Sequence, residues 1–413
     1  MIELVKPTGK SNAATLSTSI ETCAASLRET LTEISLKLSG DPPRPTRLVR
    51  AIGLDKSLAS RIIRCVRSGS DVEFMHMLPS PSGLRLFAGR AGSSVDKKLA
   101  KRLLAAADEY QELIDTTPGG RDGIDAWLSE TSRLVREKRE HSARQASFKS
   151  MSFLLGHYSE SLLSSLFLVP SEDGKHVDGI EIHRRLNLTR LKPNTPMALL
   201  SIYAPPEDTP KDGAFWMGTI LGERGTGDVE DFILTDYSSK PIPKLEVVKE
   251  GHLTTFVLPG DLEVDAPSQV CTAFRIHNGW EREPDTEMLP ERGYVLHIPS
   301  RALVREIFIA DELYRGAIPQ LYFRIPPPGG GITKSGTDPT KHYSAIDLAA
   351  SIEQIPEGPG GYEISGVPGH RATVEYVLEK SGLGETEFRG WRCRIPYPVP
   401  LTEMFWRLKL PGK

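Results

Sequence analysis

The chain has 413 residues, 39% of them hydrophobic and 25% charged, with a formal net charge of −3. That length exceeds one ordinary core and points to two or three domains, and the composition excludes wholesale disorder. No apolar run approaches the ~20 residues of a membrane span, and Met1-Ile2-Glu3-Leu4-Val5-Lys6 lacks the apolar core of a signal peptide. Cys23, Cys65, Cys271 and Cys393 lie too far apart for a zinc pair or a disulfide framework. The expectation is a cytoplasmic protein with no membrane contact.

From Ser11 to Leu38 the apolar residues Leu16, Ile20, Cys23, Leu27, Leu31, Ile34 and Leu38 recur every three or four positions, the stripe of an amphipathic helix. Gly40 and Pro42-Pro43 end it. The stripe is expected to pack on its own domain, the alternative being a dimer helix.

Two short helices are then predicted between Pro45 and Arg64. The first ends at Ile52, where Gly53 can adopt the left-handed conformation without a Cβ clash. Asp55 is placed to cap the second, whose Leu58, Ala59 and Ile62 fall on one face. Seven basic residues lie between Arg44 and Arg67 against Asp55 alone, a local net charge of +6. Residues 1–150 as a whole carry 24 basic and 18 acidic side chains, so this window accounts for their entire excess. A charge density of that kind suits phosphate contact.

This stretch resembles the helix-turn-helix of the lactose-repressor and phage-repressor class over about twenty residues. The positions that pack the two helices fall on Leu48, Val49, Ile52, Leu54, Ala59 and Ile62, all apolar, and the turn glycine falls on Gly53. The DNA-facing positions fall on Asp55, Lys56, Ser57, Ser60, Arg61 and Arg64, all polar, with Arg44 and Arg47 expected on phosphates. One departure is a swap of volume, with Val49 where a small residue is usual and Ala59 where a β-branched one is. The resemblance implies that Lys56, Ser57 and Arg61 face base edges. The whole chain also resembles long, uncharacterised bacterial helix-turn-helix proteins, which implies no activity.

Helix continues beyond the motif. Ser70-Asp71-Val72-Glu73 has capping-box spacing, a short helix is expected around Leu84 to Phe87, and Ser94 to Ile114 carries one apolar face. After the break at Thr117-Pro118-Gly119-Gly120, a helical pattern starts near Asp122 and runs on through Phe148, Phe153 and Leu154. Its Arg133, Arg136, Lys138, Arg139, Arg144 and Lys149 form a candidate second phosphate surface, but Glu137 and Glu140 are interleaved with them as on an ordinary exposed face.

Near residue 166 proline becomes frequent, with seven in residues 1–165 and 25 thereafter. Strands are expected at Met197 to Tyr203, Phe215 to Leu221, Asp231 to Thr235, Leu253 to Leu258, Val270 to His277, Tyr294 to Ile298, Val304 to Ile309, Gln320 to Ile325, Phe388 to Pro398 and Met404 to Leu410. A helix is expected from Arg371 to Glu379. The predicted architecture is multidomain. An all-α helical domain spans 1–120 with the helix-turn-helix at 45–67, a helical connector spans 121–165, and a β-rich α+β domain, sandwich or barrel-like with room for two subdomains, spans 166–413.

Catalytic signatures are scarce. No histidine pair has metal-ligand spacing, no G-x-S-x-G elbow exists, and His183 and His277 read as core or rim residues. The glycine-rich stretches Pro326 to Gly336 and Gly222 to Gly227 read as surface loops, the first failing the phosphate-loop pattern at Thr333. Arginines alternating with aromatics in Trp391-Arg392-Cys393-Arg394 and Phe405-Trp406-Arg407 read as two-faced strands, arginine out and aromatic in. The expectation is a sequence-specific double-stranded-DNA-binding transcriptional regulator, with no enzymatic activity, no catalytic residues, no metal and no cofactor. A homo-oligomer is expected, and its C-terminal domain takes an unidentified ligand or partner. The alternatives are an interaction protein whose helix-turn-helix docks protein and an enzyme with an illegible C-terminal site.

Overall fold

The computed structural model describes residues 11–203, 216–218, 232–240, 245–250, 253–260, 268–284, 292–326, 343–348 and 350–411. The chain forms two compact units, Met1–Arg139 and Glu140–Lys413.

The first unit is helical: α1 (Ser11–Ser39), α2 (Pro45–Ile52), α3 (Lys56–Val66), α4 (Asp71–Met77), α5 (Pro81–Ala91), α6 (Lys97–Thr116), α7 (Gly120–Thr131) and the start of α8 (Arg133–Leu155). The α1 stripe of Ile20, Cys23, Leu27, Leu31 and Ile34 is buried within the unit's own core, so it needs no second chain to cover it. Caps follow the sequence. Asp55, Ser70, Ser80 and Asp96 each accept backbone N–H groups at the starts of α3 to α6. Where one helix is expected from Asp122 onward there are two. Ser132 turns to an extended conformation, ends α7, and accepts the Val135 N–H with its hydroxyl.

The second unit is β-rich, and its sheet begins at His157, ahead of the composition change near residue 166. Its strands are β1 (His157–Pro170), β2 (His176–Arg190), β3 (Met197–Tyr203), β4 (Trp216–Gly218), β5 (Glu246–Glu250), β6 (Leu253–Leu258), β7 (Ser268–Glu281), β8 (Arg292–Val295), β9 (Ser300–Ala310), β10 (Ile318–Arg324), β11 (Ala345–Ile346), β12 (Ile352–Ile355), β13 (Phe388–Pro396) and β14 (Glu403–Lys409). A seven-stranded sheet has the order β12-β13-β9-β1-β2-β7-β4, parallel only between β1 and β9. A four-stranded sheet runs β11-β10-β14-β8 and a three-stranded one β3-β6-β5. On one face of the large sheet, His183 of β2 stacks on Tyr294 of β8 with ring centroids 5.0 Å apart. On the other, Phe167 and Phe308 stack and meet Tyr362, and α9 (His370–Lys380) adds Val374 and Val377 to the core.

Two sequence expectations need correction here. The predicted strand at Asp231 to Thr235 is, over its described part, a single bridge at Ile233 followed by a 3-10 turn at Thr235–Tyr237. Arg392 and Arg407 are both buried rather than outward-facing; for Arg392 the Glu306 carboxylate and the Gly361 carbonyl solvate the guanidinium that alternation alone would send outward. The stretch Gly222 to Gly227 and most of Pro326 to Gly336 lie outside the described residues.

Candidate nucleic-acid interface

Pro45 opens α2 at a position where its missing N–H costs nothing. Gly53 closes the helix at φ 65°, its N–H bonded to Val49 O at 2.9 Å. Leu54 is buried, and Asp55 starts α3 by accepting the amides of Ser57 (2.8 Å) and Leu58 (3.1 Å) on one carboxylate oxygen, joined there by the Ser57 hydroxyl. These bonds, the Ser57 hydroxyl foremost, hold the Asp55 carboxyl below its usual range. The volume swap is accommodated, since Ala59 is fully buried and Val49 packs partly buried against the same core.

At about 100° per residue, α3 divides cleanly. Lys56, Ser57, Ser60, Arg61 and Arg64 occupy one contiguous arc. Ala59, Ile62, Ile63 and Cys65 occupy the other and are buried. The polar arc is not uniform, however. Asp55 and Ser57 are engaged in the cap. Arg61 donates from Nε to Met77 O (3.1 Å) and from Nη2 to Leu78 O (3.0 Å). Arg47 donates to Ser39 O at the end of α1 (3.2 Å), and Arg67 donates to Pro43 O. Lys56, Arg64 and Arg44 are exposed, Ser60 is half-buried, and among the described residues none of the four side chains has a hydrogen-bond or ion-pair partner. Arg50 joins this unpaired set. Arg50 lies within the +6 window, but the helix-turn-helix resemblance implies no contact role for it.

The candidate second surface on α8 is largely spent within the protein. Arg133 pairs with Glu137 (2.7 Å), Lys138 with Glu73 (3.7 Å), Arg139 with Asp122 (3.1 Å) and Asp125 (2.6 Å), and Arg144 is buried. Asp125 also accepts Arg121. Burial alone would raise its carboxyl, but His76, Arg121 and Arg139 outweigh that and hold it at about 2.

The second unit concentrates charge in its interior. Glu306 accepts Ser165 Oγ at 2.6 Å and Arg392 Nε at 2.7 Å, and its Oε2 lies 3.0 Å from His370 Nε2. Ser165, Arg392 and His370 thus converge on one buried carboxylate, while His370 Nδ1 is buried with no hydrogen-bond partner among the described residues. His183 pairs with Glu181 at 2.9 Å, and Asp178 takes Arg275 at 2.9 Å and lies 3.4 Å from His277. Among the described residues no three His, Cys, Asp or Glu side chains stand where they could hold a metal ion, and no helix is long and apolar enough to cross a membrane.

No family model and no curated protein matches the chain. Among solved structures it is similar to an M1 zinc metallopeptidase from Deinococcus radiodurans, at 10% identity and a TM-score of 0.24 over 61% of this chain and 42% of that one. A mutant of an M1 zinc metallopeptidase from the same organism, bound to a Tyr-Ser-Ala substrate, matches over the same shares with a TM-score of 0.23. The chain thus spans less than half the length of the peptidases it matches. The expectation of no enzymatic activity is corrected by this likeness to enzymes and is not carried further. At these TM-scores the likeness assigns neither a reaction nor a metal.

Proposed function

We propose that the first unit binds duplex DNA sequence-specifically, with α3 entering the major groove, and that the protein is a transcriptional regulator whose β-rich unit serves ligand, partner or oligomer contacts. The observation that carries this reading is the set of exposed cations whose side chains have no partner among the described residues, Arg44, Arg50, Lys56 and Arg64, on and beside a helix pair locked by Gly53 and Asp55. Unpaired guanidinium and ammonium groups on a helix that fits the groove are what phosphate and base edges require. Two-fold recognition would make a homo-oligomer the functional form. Selection of random duplex DNA by the full-length protein tests the reading. Enrichment of a consensus supports it, whereas retention of no duplex at low salt would refute it in favour of a helix pair that docks protein.

A further inference from the structure

We propose, resting on that DNA-binding reading, that Arg61 is a positioning residue that braces α3 against the end of α4, and that base readout falls instead to its unpaired neighbours Lys56, Ser60 and Arg64. Arg61 sits in the polar arc of α3, where helical spacing alone makes it a base reader. One edge of its guanidinium is already taken by protein. Nε and Nη2 hold the carbonyls of Met77 and Leu78 at 3.1 and 3.0 Å, the two that end α4 and leave it.

The preceding carbonyls, Met75 O and His76 O, are taken by Nη2 of Arg121 from α7 at 2.8 and 3.0 Å. Two guanidinium groups from two different helices therefore bond the C-terminal carbonyls of α4, of which Met75 O also accepts the Leu78 N–H, and place positive charge at the negative end of its dipole. The bidentate use needs the planar fork of arginine, since a lysine ammonium is a point donor on a flexible stem. These bonds engage two of the five guanidinium N–H donors and fix the plane of the group against the end of α4, so moving Arg61 onto a base edge would uncap α4. Lys56, Ser60 and Arg64 release nothing. Lys56 and Arg64 are eight residues apart, roughly 12 Å along the helix, enough to span three or four base pairs.

The test compares full-length wild type, Arg61→Ala, Arg61→Lys, Lys56→Ala and Arg64→Ala. Each is taken through random-duplex selection, then titrated against its consensus and a scrambled duplex, well below its melting temperature. Arg61→Ala is expected to return the wild-type consensus, to lose about tenfold in affinity for it and to leave scrambled-duplex affinity unchanged. Arg61→Lys should recover part of the loss. Lys56→Ala or Arg64→Ala should degrade the consensus at one base position. The proposal is overturned if Arg61→Ala changes the consensus itself, which makes it a reader. It is equally overturned if specific and scrambled affinities fall together with the folded fraction, or if specific affinity does not move. A wild type that retains no duplex fails differently, sinking the DNA reading and this role with it.

Discussion

The two units handle charge in opposite ways. In the first, Asp125 is the one charged side chain buried among the described residues, and the arginines of α2 and α3 lie at the surface, half spent on helix-end carbonyls and half unpaired. In the second, Glu306, Arg392, His370, Arg185, Arg305 and the Glu181–His183 pair lie inside the β-rich core. A surface cation can be lent to a ligand at little cost to the fold. A buried one is committed, because removing its partner leaves a charge in a low-dielectric interior. On the proposed reading, the free cations of the first unit do the binding, whereas the charges of the second are part of its architecture.

Breaking the second unit's network is the harshest test of that contrast. Glu306→Ala should strand Arg392 and cost about 3 to 5 kcal/mol in denaturant unfolding of the β-rich unit. Little change would show that the buried charges are not structural. In the first unit Ile62→Asp should cost several kcal/mol by placing a carboxylate in the apolar arc of α3, seen as lost helicity by circular dichroism.

Acid should separate the units. Burial favours neutral imidazole at His157 and His297, whose pKa values fall to about 4. The unfolded chain takes up those protons first, near pH 6.5. The stability they protect is therefore present above pH 6.5 and lost as pH falls toward 4, on the order of 3 kcal/mol each. Asp125 of the first unit is depressed instead, so its contribution persists until pH drops below about 3.9 and disappears toward 2. A pH series of unfolding curves should show the β-rich unit weakening first. Simultaneous loss would contradict the assignment.

A finer contrast lies at Gly53. A Cβ there meets nothing within 4 Å, so Gly53→Val is penalised by the left-handed backbone alone, about 1 to 2 kcal/mol. Gly53→Asn should recover most of that stability in the same denaturation assay. Equal losses for both would mean the turn is constrained by contacts.

The same difference in charge explains what could be read beforehand. The helices of the first unit announced themselves because Leu27, Leu31, Ile34 and Ile62 keep helical spacing with polar residues opposite. Gly53 and Asp55 marked the turn through chemistry that only a few residues supply. In the second unit β3 and β6 were legible, each short and bounded by breakers. Strands β1 and β2 were not, because Ser164, Ser165, His183, Arg184 and Arg185 occupy buried positions on both faces and erase the alternation. Within the interface, spacing showed which side chains share an arc. It could not show that Arg61 and Arg47 are engaged by carbonyls 16 and eight residues away.

Salt dependence of duplex binding by the full-length protein tests the central claim most directly. With Arg44 and Arg50 on phosphates and Lys56 and Arg64 on bases, the slope of log affinity against log salt should be about −2, becoming shallower by about 1 for each of Arg44→Ala and Arg50→Ala. Affinity that does not respond to salt, or no duplex binding at low salt, would contradict the account.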